Sequence, residues 1–305
     1  MTISFHAKHK NGFYVQPLEP FTFPAGEAHI KGFDKLVLKD YEYFFADVRG
    51  HNPQDLFHLA LWSNGLREKR IEEDTASGKH EPMPVYHVLM PYLPAARSDR
   101  GVPVGAFTYA EFLNQCVMPN SIIAVDPHSD YMPSMLNGHY DILKVFPFER
   151  IIKNEIQNVE SDEMARPYVG VIAPDAGAVD RATRAARLMG VPVYKAGKTR
   201  DFETGKLTGF HMEDELPAEG KLLIVDDICD GGGTFVGLAD AIGLDNTRLD
   251  LWVTHGVFSK GVEDLGRHFG TIHTTDSYLN LSKTFMPPYV KVHPLQSYLY
   301  GELHV

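Results

Sequence analysis

Residues 221–242 read KLLIVDDICDGGGTFVGLADAI, and they leave the chain few ways to fold. An apolar run ending at Val225 reads as a buried strand. It meets two adjacent carboxylates, Asp226 and Asp227, then Asp230 and the glycines Gly231, Gly232 and Gly233, before Thr234 opens an amphipathic stretch. A buried strand that turns through glycine into a helix is the unit of a parallel sheet, where each crossover needs a returning element. Consecutive glycines let backbone N–H groups curl around an anion without Cβ clashes, and the helix start adds unpaired N–H groups and the positive end of its dipole. Thr234 can cap that helix or hydrogen-bond the anion. Carboxylates at the carboxyl end of a parallel strand lie where such sheets bind ligands, and a pair of them suits the vicinal hydroxyls of a ribose. The segment is not a Walker A loop, because no Gly-Lys-Ser/Thr follows the glycines.

The same alternation recurs along the chain and predicts an α/β fold with mainly parallel sheets. Strands are expected at 36–38, 84–90, 121–125, 168–172, 191–194, 222–225 and 248–254, and helices at 53–70, 109–116, 178–189 and 234–242. A charged stretch at 153–166 separates two halves of similar element order, which places domains at 1–155 and 156–305. No short internal repeat is found.

Composition narrows the chemistry. A net charge of -11 argues against a nucleic-acid partner, which needs a basic footprint. An acidic chain that binds polyphosphate is expected to rely on Mg²⁺ and oriented backbone N–H groups. No apolar run approaches the roughly 20 residues of a membrane span, and the first residues do not read as a signal peptide, so a cytoplasmic location and no membrane partner are expected. Cys116 and Cys229 match no disulfide or metal framework.

The Asp-Asp and glycine segment resembles the phosphoribosyl diphosphate-binding motif shared by type I phosphoribosyltransferases and ribose-phosphate pyrophosphokinases. Further segments, in the same order along the chain, resemble the second family: FPAGE at 23–27, PYLPAARSDR at 91–100, VDPH at 125–128, PDAGAVDR at 174–181 and THGVFS at 254–259. The resemblance implies two phosphoribosyltransferase-like domains, the first binding ATP and the second carrying the ribose-phosphate motif. It implies that Arg97, with Ser98 and Asp99, lies by ATP and that His128 helps hold Mg-ATP. Phe23 and Glu27 would meet adenine across a subunit interface, implying a dimer or hexamer, and Asp175 would sit by the metal and the ribose. KAGKTR at 195–200 resembles the family's Lys-x-Arg on a mobile loop closing over ATP, which points to Lys198 and Arg200, with Lys195 as the competing assignment. Asp226 and Asp227 would read the ribose hydroxyls, and Asp230, Gly231, Gly232, Gly233 and Thr234 would hold the 5-phosphate. The implied reaction is diphosphoryl transfer from ATP to the anomeric hydroxyl of ribose 5-phosphate.

Three positions depart from the family pattern. Gly231 stands where a threonine is usual, Ser98 where glutamine is frequent, and Ala25 where the adenine loop is polar. The lost threonine hydroxyl leaves open an acceptor whose 5-phosphate is extended, such as ADP-ribose. A type I phosphoribosyltransferase and a non-catalytic regulatory homologue are the other readings. The first leaves residues 91–100 and 125–128 without a role, and the second is disfavoured by the retained Lys198, Arg200, Asp226 and Asp227.

Overall fold

The chain begins with a segment that hydropathy runs do not reveal. Along ISFHAKH buried Ile3, Phe5 and Ala7 alternate with half-exposed residues, the period-2 signature of a strand. The computed structural model describes residues 3–50, 52–95, 97–157, 167–200, 207–278 and 286–304. It divides into two compact units, Met1–Phe146 with Leu299–Val305, and Pro147–Tyr298.

In the first unit β1 (Ile3–His9), β2 (Tyr14–Thr22) and β3 (Ala28–Lys31) form an antiparallel meander. β4 (Tyr41–Val48) pairs antiparallel with β1 and opens a parallel set with β5 (Tyr86–Leu89), β6 (Ser121–Val125) and β7 (Leu143–Phe146). The order is β3-β2-β1-β4-β5-β6-β7. Helices α1 (Pro53–Ser77), α2 (Gly105–Phe112) and α3 (Tyr131–Tyr140) return the chain between the parallel strands. Asn52 caps α1 by accepting the Gln54 N–H, with proline following at N1. The helix runs beyond the expected residue 70 because Arg70 lies 3.6 Å from both Glu73 and Asp74. Trp62 of α1 stacks on Phe5 at 5.3 Å and closes the core.

The expected strand at 36–38 is a correction. Leu36 and Leu38 are buried, but they anchor a loop: Leu38 donates its N–H to Glu73 Oε1 at 2.9 Å instead of to a strand, and a 3₁₀ turn follows at Leu38–Asp40.

The second unit begins with the short α4 (Phe148–Ile152). Strands β8 (Gly170–Ala173), β9 (Val193–Arg200), β10 (Leu207–Met212), β11 (Leu222–Cys229), β12 (Leu249–Gly256), β13 (Ile272–Thr275) and β14 (Val290–His293) take the order β10-β9-β8-β11-β12-β13-β14. All neighbours are parallel except β10 with β9. Helix α5 (Val179–Met189) links β8 to β9, and α6 (Gly233–Ile242) links β11 to β12. Two short helices follow, α7 (Leu265–His268) and α8 (Gln296–Tyr300). The α/β class with mainly parallel sheets holds. The units part at Phe146 and Pro147, earlier than the expected 155/156, and the C-terminal residues belong to the first unit, where the Tyr300 ring meets Phe45 edge-on at 4.9 Å. Among the described residues no helix is long and apolar enough to cross a membrane.

Candidate functional site

Strand β11 runs past Val225 to Cys229, so Asp226 and Asp227 belong to its carboxyl half. The turn Asp230–Gly232 then enters α6. Gly232 caps that helix at φ 78°, a left-handed conformation that a side chain resists, and a Cβ there would lie 3.3 Å from the Leu265 side chain. The left-handed backbone is what favours glycine here, since the Leu265 side chain need give by only a few tenths of an ångström. The leading N–H groups of α6 lack intrahelical partners, as in any helix start, and the turn brings them to the carboxyl end of the sheet.

Arg181, in the first turn of α5, reaches this edge. Its guanidinium lies 3.4 Å from Asp226 Oδ1 and 3.6 Å from Asp227 Oδ1, and its own side chain is buried. Asp227 donates its N–H to Asp226 Oδ1 at 2.9 Å. Burial holds the Asp226 carboxyl well above the usual range, the neighbouring charge of Asp227 pushes it the same way, and Arg181 only partly offsets this. Asp226 therefore gives up its proton less readily than a free carboxyl. The Cys229 thiol is pushed up to about 12, first by burial and then by Asp226 and Asp230, which makes it inert.

Asp175 lies two residues beyond the end of β8, after Pro174. Its Oδ1 accepts N–H bonds from Gly177 at 2.9 Å and Ala178 at 3.2 Å, while Oδ2 takes the Lys198 ammonium at 2.6 Å. Lys198 comes from β9, and here the structure corrects an expectation. Residues 195–200 are strand rather than loop: β9 pairs antiparallel with β10, with Lys198 opposite Phe210, Thr199 opposite Gly209 and Arg200 opposite Leu207. Gly197 has a packing role, because a Cβ there would lie 2.7 Å from the His211 ring. Lys195 is exposed and donates its N–H to Asp214 Oδ2 at 2.7 Å.

In the first unit the segments after β5 and β6 are tied together, with Val125 N–H donating to Pro91 O at 3.0 Å. Ser98 organises the start of α2: its Oγ accepts from Gly105 N–H at 3.1 Å and its carbonyl from Ala106 N–H at 3.1 Å. Arg97 and His128 are exposed, and Asp99 lies 3.7 Å from Arg100. Phe23 and Glu27 occupy a different edge, the exposed tip of the β2–β3 hairpin, where Phe23 N–H donates to Glu27 O at 2.9 Å. Strands β1 and β4 separate that hairpin from β5.

No family model matches the chain. Curated proteins do. Ribose-phosphate pyrophosphokinase of Saccharolobus solfataricus is 29% identical over 221 residues, 70% of this chain and 67% of its own. The Streptomyces coelicolor protein of that name is 29% identical over 263 residues, 83% of this chain and 73% of its own. That of Bradyrhizobium diazoefficiens is 26% identical over 278 residues, 89% and 78% of the two chains. These similarities support the family that the motifs resemble, the ribose-phosphate pyrophosphokinases. The crystal structure of phosphoribosylpyrophosphate synthetase from Mycobacterium smegmatis has the same fold, with a TM-score of 0.68 over 94% of this chain and 88% of that one at 20% identity.

Within this pyrophosphokinase frame, Arg181 and Ser259 are the residues that sequence reading missed. Arg181 ends the quoted PDAGAVDR run but looks like a surface charge; its place beside the apolar face of Ala178, Ala182 and Ala185 was the available signal. Ser259 donates its hydroxyl to Asp230 Oδ1 at 2.6 Å, a contact between segments far apart in sequence that no local pattern announces.

Proposed function

We propose that the chain transfers a diphosphoryl group from ATP to the anomeric hydroxyl of ribose 5-phosphate, giving phosphoribosyl diphosphate and AMP. The observation carrying this reading is the edge formed by β11 and its glycine turn. It sets a carboxylate pair beside the amides at a helix start, in a chain whose relatives bear the name of that activity. The amides of 231–234 cradle the 5-phosphate, and Asp226 and Asp227 accept hydrogen bonds from the ribose 2- and 3-hydroxyls. Arg181 keeps the two carboxyls from repelling the acceptor.

The anomeric oxygen attacks the β-phosphorus of ATP, and the bond from that phosphorus to the oxygen of the α-phosphate breaks, releasing AMP. The hydroxyl proton passes to a neighbouring carboxylate or water as the new bond forms. Lys198 and Arg200 stabilise charge on the transferred group, with Lys195 in reserve; Arg97, Ser98, Asp99 and His128 hold the nucleotide, and Phe23 and Glu27 of a neighbouring subunit meet adenine.

Mg²⁺ fits the residues available. Among the described residues no three His, Cys, Asp or Glu side chains converge on one point, and Mg²⁺ characteristically keeps its waters and uses one or two carboxylates with substrate phosphates. Asp175 Oδ2, half-buried and already facing a cation, is such a donor, and His128 would support the ion alongside it. Bound with ATP, the ion would supply charge neutralisation on the phosphates.

A second reading keeps the reaction and extends the acceptor, as in ADP-ribose, and the observation favouring it is the missing side chain at Gly231. Mass spectrometry of reactions with Mg-ATP and each sugar decides both. AMP with phosphoribosyl diphosphate supports the first reading. ADP, or no nucleotide product from any 5-phosphorylated ribose, overturns the diphosphokinase.

A further inference from the structure

Gly231 is a glycine that the backbone does not demand. Unlike Gly232 it has no positive φ, so a side chain there meets no conformational penalty. It would meet Lys260 instead: a Cβ built on Gly231 lies 3.3 Å from Cδ, 3.4 Å from Cε and 3.7 Å from Cγ of that lysine. The stem of Lys260 thus lies over the volume that a threonine would fill. Its ammonium is one bond beyond Cε and so lies near the turn.

The backbone around Lys260 is clamped to that turn. Val257 and Phe258 both donate N–H to Cys229 O, at 2.9 and 3.1 Å, and Ser259 donates its N–H to Asp230 O at 3.0 Å and its hydroxyl to Asp230 Oδ1 at 2.6 Å. Phe258, with its ring buried, takes φ 48°, and Gly261 at φ 80° donates its N–H back to Phe258 O at 2.9 Å. A left-handed phenylalanine persists only where its surroundings fix it. Here that conformation sets the direction in which Lys260 leaves the chain.

The turn also has an electrostatic need. A phosphate brought to its amides arrives beside Asp230 and follows Asp226 and Asp227, while the nearby guanidinium of Arg181 faces those two carboxyls. Lys260 makes no ion pair among the described residues.

We propose that Lys260 is a phosphate-binding residue of this site. Its ammonium pairs with the 5-phosphate of the acceptor, in place of the hydroxyl that a threonine at position 231 would offer. Gly231 and Lys260 thereby form one exchange, a short neutral donor given up for a longer charged one. The proposal rests on reading the glycine turn as the acceptor's phosphate cradle.

Lys260→Met keeps the stem and removes the charge, and the exposed position tolerates it. With ribose 5-phosphate and Mg-ATP, its KM for the sugar is expected to rise roughly ten- to hundred-fold, the usual scale for a lost charged hydrogen bond, while KM for ATP stays constant. Lys260→Arg should retain most of the affinity, and adding Gly231→Thr to Lys260→Met should recover part of it. Calorimetric binding of ribose 5-phosphate alone should weaken in parallel. An unchanged KM and unchanged binding in Lys260→Met, beside an active parent enzyme, would overturn the proposal and leave a solvated lysine packed over the turn. If the parent itself neither binds nor turns over any 5-phosphorylated ribose, the cradle reading fails first and the role of Lys260 falls with it.

Discussion

Asp226 shows how one side chain can serve function against stability. Burial and then the charge of Asp227 raise its pKa, so the folded state gives up this proton less readily than the unfolded chain does. The linkage sign follows. Stability from this group is fully present below the unfolded value of 3.8 and is lost as pH rises through the higher folded value. Asp226→Asn removes the liability, so thermal unfolding at pH 7 should move up by a few degrees, with the gain shrinking toward acid. The same variant loses a hydroxyl acceptor, and its KM for the ribose phosphate should rise about tenfold. A lower melting temperature would contradict the burial argument. Lys198 behaves differently because it faces Asp175 in the resting chain. Lys198→Ala should lower kcat by roughly a hundred-fold or more with a much smaller change in KM, as expected for a contact formed at the transition state. Equal loss of binding with intact turnover would refute that role.

At the scale of elements, the parallel strands carry histidines that burial keeps neutral. His87 of β5 donates to or accepts from Ser121 of β6 at 2.8 Å, and its pKa is pushed down to about 4 by burial and then by Lys144. His273 of β13 lies 3.0 Å from His293 of β14, and burial, with His293 and two lysines, pushes it down to about 3. His293 is lowered by burial against the pull of Glu155, which lies 3.2 Å away. The unfolded chain takes up these protons near pH 6.5, while the folded one refuses them until far lower pH. Stability is therefore complete above that value and should fall by about 1.4 kcal/mol per pH unit per histidine below it. Urea midpoints between pH 7 and about 5 would show this slope, and His273→Gln should flatten it. The β9–β10 ribbon makes the complementary point. Its run KAGKTR looks like a loop because basic residues and a glycine dilute the apolar pattern, yet antiparallel pairing with 207–212 makes it strand.

At the scale of the molecule, each unit carries a seven-stranded sheet among the described residues, and the first sheet continues into the antiparallel meander that displays Phe23. That ring is 43% exposed at a hairpin tip, far in strand order from Arg97 and His128, so a role in adenine binding requires a neighbouring subunit. Sedimentation should find a dimer or larger, and Phe23→Ala should raise KM for ATP while leaving KM for the sugar phosphate unchanged; an active monomer would refute the shared site. The sequence by itself determined the strand, carboxylate pair and glycine turn at 222–234, because apolar runs, adjacent charges and glycines act over a few residues and leave a local mark. Only the tertiary structure decided that Arg181 faces that pair, that Ser259 binds Asp230 and that Lys260 covers Gly231. Those contacts join residues on separate strands and crossovers, and proximity of that kind exists only once the parallel sheet has set its strands side by side.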